Sequence, residues 1–150
     1  MATTAVDPVF VDTNILVYVK QALSPFNVQA TAKLKALVAV GHPLWISRQV
    51  LREYLVSMSR PGALTSPVSM AALVADVQGF EKQFLLAEDG PAVMAQLLNL
   101  LSTIPIMGKQ IHDANIIATM LSHGIQRLVT HNVKDFVRYA SHITVIPLIP

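Results

Sequence analysis

The chain has 150 residues, 53% hydrophobic and only 13% charged, and a net charge of +2 whose lysines and arginines are scattered: enough for one domain with a sizeable core, too even to identify a polyanionic partner. It has no cysteine, which excludes disulfides and thiolate chemistry and leaves a metal only oxygen or histidine ligands. No apolar run reaches the roughly 18 uninterrupted residues of a membrane-spanning helix, and Met1 to Pro8 carries no basic or apolar signal segment, as expected of a cytoplasmic protein.

Val9-Phe10-Val11 is a short apolar run of the kind buried on both faces of a parallel sheet. Asp12 stands at its carboxyl end, where open α/β sheets place their ligands. Asp12, Thr13 and Asn14 equally suit an Asx-turn that closes the strand and caps the next helix. Gln29 to Val40 reads as a helix closed by Gly41, and Leu44 to Ile46 as a second strand. Ser47 offers an N-cap for a helix to about Ser59, stopped by Pro61-Gly62. Ser69 to Phe80 and Pro91 to Ser102 read as helices with a short strand, Phe84 to Ala87, between them. A helix from about Lys109 to His123 ends at Gly124, a residue suited to the position just past a helix. Ile125 to Thr130 and Ile143 to Leu148 are the last strands. Strands alternating with helices predict an α/β fold, a parallel-stranded central sheet flanked by helices, in a single domain with its core at about 9–148. Trp45 reads as core, and Met58, Met70, Met94, Met107 and Met120 as core filler or interface. The surplus of apolar residues favours a protein partner or self-association.

With nine acids in the chain, the place of each is informative. On the Lys109 to His123 helix, Ile116, Ile117 and Met120 follow Asp113 at i+3, i+4 and i+7, so Asp113 falls on the apolar face. Burial there raises a carboxyl pKa unless a cation or donors hold the charge; the plainer role is an acid favoured by the dipole of a helix's first turn. Glu53 lies off the stripe of Val50, Leu51, Tyr54, Leu55 and Met58, and by spacing alone is a solvated surface residue. Its helix, however, directly follows a strand, which brings its first turns near the carboxyl edge of the sheet. Thr130, Asn132 and Asp135 crowd polar groups at the end of another strand, where a turn and N-cap with Phe136 in the core explains them as well. Taken together, converging carboxylates repel one another, and a hard cation is the usual remedy. Oxygen ligands suit magnesium or manganese, which share phosphate oxygens with a substrate and support phosphodiester hydrolysis.

Val11-Asp12-Thr13-Asn14 with Ile15-Leu16, Glu53 within Ser47 to Tyr54, Asp113-Ala114-Asn115-Ile116-Ile117-Ala118, and Thr130-His131-Asn132-Val133-Lys134-Asp135-Phe136 together resemble the PIN-domain nucleases, in particular the VapC-type toxins of prokaryotic toxin–antitoxin pairs. Each piece is short; their order over nearly the whole chain is what makes the likeness specific. The resemblance implies that Asp12, Glu53 and Asp113 match three acids that ligate Mg²⁺ or Mn²⁺. Many members carry a fourth acid two residues after the threonine matching Thr130. Here that position is Asn132, and either Asp135 supplies the charge or Asn132 positions water or substrate. Thr13, Asn14 and Thr130 match supporting polar groups. The implied protein is a metal-dependent endoribonuclease with an RNA substrate, an antitoxin partner and a homodimeric state, with His112, His131, Arg48 and Arg52 as candidates for RNA contact. Two rivals stand beside it. A phosphatase-like hydrolase with Asp12 as nucleophile wants an acid where Asn14 stands. A catalytically silent PIN-like module would bind RNA or protein without cutting.

Overall fold

Val9, Phe10 and Val11 are fully buried, as a three-residue run can be only where neighbouring strands flank it and helices cover both faces. The structure, a computed structural model, describes residues 4–62 and 68–150. This first strand, β1 (Val9–Val11), lies at the middle of a five-stranded sheet. Its neighbours are β2 (Leu44–Ile46) on one side and β4 (Arg127–Thr130) on the other; β3 (Leu85–Leu86) and β5 (Thr144–Pro147) form the edges. All four pairings are parallel, as the alternation of strands and helices predicts. Phe10 pairs with Trp45 on one side and Leu128 on the other. The chain steps outward from β1 to β2 and β3, then returns to the far side of β1 for β4 and β5. The crevice at such a reversal, outside the carboxyl ends of the strands, is where open α/β sheets bind ligands.

The helices are α1 (Thr13–Lys20), α2 (Asn27–Val40), α3 (Arg48–Ser59), α4 (Met70–Gln83), α5 (Pro91–Thr103), α6 (Gln110–Ser122) and the single turn α7 (Val133–Phe136), which runs on into a 3-10 turn at Val137–Tyr139. Ser47 and Ser69 cap α3 and α4 by accepting from the backbone N–H of Val50 and Ala72. Gly41 and Gly124 close α2 and α6 in the left-handed region, with φ of 101° and 68°. Among the departures from the sequence reading, three concern the helices α1, α2 and α4. The Asx turn at Asp12 does open a helix, but eight residues rich in β-branched side chains gave α1 no clear period. α2 begins earlier, at Asn27, with no side-chain cap to mark it. α4 continues past Phe80 to Gln83 before β3 takes over. The core joins β1, Ile46 and Leu128 to Ile15 and Leu16 of α1, Tyr54 of α3 and Ile116, Ile117 and Met120 of α6. Met58 and Met120 belong to it, whereas Met70, Met94 and Met107 are exposed. Trp45 is half-buried at the core's margin with its ring 6.1 Å from that of His123. Among the described residues no helix is long and apolar enough to cross a membrane.

Candidate active site

Asp12 leaves β1 where the sheet reverses, and its side chain is 5% exposed. A carboxylate so placed survives only if donors surround it, and three polar groups from two strand ends supply them. The backbone N–H of Thr13 donates to Oδ1 at 2.8 Å. Thr130 Oγ1, at the end of β4, donates to Oδ2 at 2.7 Å, and Asn14 Nδ2 reaches the same oxygen at 3.2 Å. Asn14 also ties the two strand ends together: its Oδ1 accepts from the backbone N–H of His131, and its Nδ2 lies 3.2 Å from Thr130 Oγ1. The backbone N–H of Asn132 donates to Thr130 Oγ1 at 3.0 Å. Asp12 thus caps α1 and lines a cleft; the capping and functional readings of this residue describe one geometry.

Glu53 is half-buried, not the solvated surface glutamate that its spacing predicts when taken alone. Thr13 Oγ1 donates to its Oε2 at 2.8 Å, bringing the middle of α3 against the first turn of α1. Gln49, one turn earlier on α3, donates through Nε2 to Glu53 Oε1 at 2.9 Å and to the carbonyl of His112 at 2.8 Å. Its Oε1 accepts from Asn115 Nδ2 at 2.8 Å. Gln49 and Asn115 therefore lock α3 to α6, which carries Asp113. The sequence reading missed both as site residues; the only local hint was that Gln49 precedes Glu53 by four residues on one helix face.

Asp113 sits half-buried in the first turn of α6, and among the described residues no hydrogen-bond donor reaches its carboxylate. Burial, followed by the charges of Asp12, Asp135 and Glu53, pushes its pKa up to about 7, with Arg138 opposing. Burial also raises Asp12 to about 6, against the hydrogen bonds of Thr130, Thr13 and Asn14 and with the charge of Glu53. The acids share one cleft of about 550 Å³, walled by Asn14, Val17 and Tyr18 of α1, by Gln49, Arg52, Glu53, Val56 and Ser57 of α3, and by His112 and Asp113. Asn132 lines it; Asp135 does not, being exposed on α7 and contributing only its field. Of the candidate RNA contacts, Arg52 and His112 line the cleft. Arg48 is turned away to Glu88, 2.7 Å off, and to Glu81. His131 stands outside the lining; its Nδ1 is 2.9 Å from the Tyr18 hydroxyl, and its ring packs on Phe26.

The all-oxygen donor set and its mutual repulsion fit a hard divalent cation. Asp113, with no donor among the described residues, has the most to gain from one. Among the described residues no three His, Asp or Glu side chains cluster as a complete metal shell, so water would have to fill the remaining positions, as Mg²⁺ commonly allows. The phosphatase-like arrangement lacks its second acid, since Asn14 is engaged with Asp12, Thr130 and His131.

Comparison with known proteins bears on the family and the fold. The chain is 29% identical over 128 residues to Ribonuclease VapC24 of Mycobacterium tuberculosis, covering 84% of this chain and 87% of the relative. Its fold is similar to that of VapBC2 from Rickettsia felis bound to a fragment of promoter DNA, with a TM-score of 0.69 at 18% identity over 93% of this chain and 97% of that one. It is likewise similar to M. tuberculosis VapC20, a sarcin-ricin loop cleaving toxin, with a TM-score of 0.65 at 20% identity over 91% and 96% of the two chains. The model of the PIN domain matches residues 9–141, and the chain belongs to the PIN domain family.

Proposed function

We infer that this PIN-domain chain is a Mg²⁺- or Mn²⁺-dependent endoribonuclease, the toxin of a toxin–antitoxin pair acting in the cytoplasm. The observation that carries the reading is the convergence of Asp12, Glu53 and Asp113 on one cleft, with Asp12 and Asp113 raised to about 6 and 7 by burial and mutual charge. The name of the VapC24 relative supports RNA as substrate, and the VapBC complexes among similar folds support an antitoxin partner. A homodimer belongs to the same reading.

In this reading Asp12, Asp113 and Glu53 hold the ion. A divalent ion bound there supplies positive charge to a phosphodiester and favours deprotonation of an attacking water. Thr130, Asn14 and the Thr13 N–H fix the Asp12 carboxylate in one orientation, so no reorganisation is needed as charge develops on the phosphate. Thr13 and Gln49 do the same for Glu53. Asn132, which lines the cleft, positions water or substrate in this reading, while Asp135 adds negative charge from outside it.

A silent PIN-like module that binds RNA or protein is the second reading, favoured by Asn132 at the fourth-acid position and by the lack of a complete three-residue metal shell among the described residues. Incubating the purified protein with a mixed RNA pool, with and without Mn²⁺, separates the two. The hydrolytic reading expects metal-dependent cleavage that falls by about a hundredfold or more in Asp12→Asn and Asp113→Asn, with both variants folded. Normal cleavage by either variant overturns the assignment of these acids. No cleavage by the wild-type protein, together with no thermal stabilisation by Mn²⁺, establishes the silent module.

A further inference from the structure

The chain has five arginines, and their surroundings divide them into two groups. Arg48 is held by Glu88 and Glu81, Arg127 by Asp7, and Arg138 by Gln110 Oε1 and the carbonyl of Pro105. Arg52 and Arg60 make no hydrogen bond or ion pair with another described residue, and both line the cleft. They lie on the face of α3 that carries Glu53: Gln49, Arg52, Glu53, Val56, Ser57 and Arg60 follow the i, i+3, i+4 rhythm of one helical stripe. Arg60 closes α3, seven residues past Glu53, which is about 10 Å along the helix axis. A helix C-terminus favours a cation in any case, but that reason does not extend to Arg52 in mid-helix. The cleft is therefore acidic where Asp12, Glu53 and Asp113 meet and basic along the remainder of α3.

We propose that the basic half of this cleft is a phosphate subsite for the RNA strand beside the scissile bond, with Arg60 as the outer contact and Arg52 as the inner one. The proposal rests on the hydrolytic reading and adds to it a direction: the strand runs from the acids along α3 toward Arg60. A guanidinium that no described residue engages keeps its full set of forked donors for phosphate oxygens. Because these contacts are made to a part of the substrate that does not react, they act mainly on binding.

The test measures cleavage kinetics of a single-stranded oligoribonucleotide and of a dinucleotide that lacks the flanking phosphates, over a range of salt, for wild type, Arg60→Gln, Arg60→Lys and Arg48→Gln. Arg48→Gln removes the same charge from outside the cleft. In Arg60→Gln the KM for the long substrate is expected to rise about tenfold, and by more than kcat falls. The salt dependence of binding is expected to lose about 0.7 from its log–log slope. Arg60→Lys should recover part of both effects, and the dinucleotide should be cut with the same KM by wild type and Arg60→Gln. Wild-type cleavage with KM and salt slope unchanged in Arg60→Gln overturns the subsite and leaves the arginines to an acidic protein partner. Equal losses in Arg60→Gln and Arg48→Gln overturn it too, by reducing the effect to net charge. Failure of the wild-type protein to cut any RNA is a separate result, which overturns the hydrolytic reading on which the subsite depends.

Discussion

Asp113 shows how far surroundings can move one side chain from its ordinary chemistry. Half-buried and facing three other acids, it is pushed up to about 7, while Asp12, although held by three donors, reaches about 6. Both folded-state values lie above the ordinary 3.8, so between that value and about 7 the folded chain binds more protons than the unfolded chain. The stability these groups contribute is thus fully present below 3.8 and is lost as pH rises through the folded values, the reverse of the usual carboxylate case. Without divalent metal, Tm is expected to fall as pH is raised from about 5 to about 8. Asp113→Asn should remove much of that fall, and saturating Mn²⁺ should raise Tm most at the upper end, where the carboxylates are ionised. Thermal melts across this window check it; a fall of the same size in Asp113→Asn would show that the repulsion lies elsewhere.

At the scale of elements, the site depends on three helices being held in register at one edge of the sheet. α1 is fixed by Asp12 at its start, and α3 follows the adjacent strand from the Ser47 cap. Among the described residues the hydrogen bonds from α3 to α6 run through the side chain of Gln49, bonded to Glu53, to the His112 carbonyl and to Asn115. Gln49→Ala leaves Glu53 held by Thr13 alone and removes the hydrogen bonds that tie α3 to the helix carrying Asp113. Because Gln49 is only partly buried, the expected cost in stability is small, about 1 kcal/mol. The expected loss of kcat/KM is larger, about tenfold to a hundredfold, as when groups that orient metal-site ligands are removed. Asn115→Ala should cost less alone, and little more once Gln49 is gone, because the two act through one contact. Urea melts beside cleavage assays test this; full activity in Gln49→Ala would assign the orientation of Glu53 to Thr13 alone.

For the molecule as a whole, stability and site share one strand. Phe10 is fully buried at the centre of β1, one residue from Val11 and two from Asp12, and pairs with strands on both sides. Phe10→Ala opens a cavity at the middle of the sheet, with an expected loss of about 3–5 kcal/mol. That is a large share of the roughly 5–15 kcal/mol that holds a domain together. Urea unfolding should show the lower midpoint, and activity should fall with the folded fraction; a loss under about 1 kcal/mol would mean that the neighbouring helices close the gap.

The sequence by itself determined the fold class, the order of most elements and two of the acids that line the cleft. These signals are local: the apolar run into Asp12, the apolar rhythm around Asp113, and the punctuation of Ser47, Gly41 and Gly124. Glu53 was legible only through its helix following a strand and through resemblance, because its own helix face reads as solvent. Tertiary structure decided the rest. It placed Glu53 against Thr13, 40 residues away, and Thr130 against Asp12, 118 residues away. It put Asn132 in the cleft and Asp135 outside it, turned Arg48 away to Glu88 while Arg52 and Arg60 have no partner among the described residues, and made Gln49 a tie between helices. The physical reason is the same throughout. Periodicity reports which side of an element faces the core, but which polar groups meet across a cleft depends on long-range packing that no window of sequence contains.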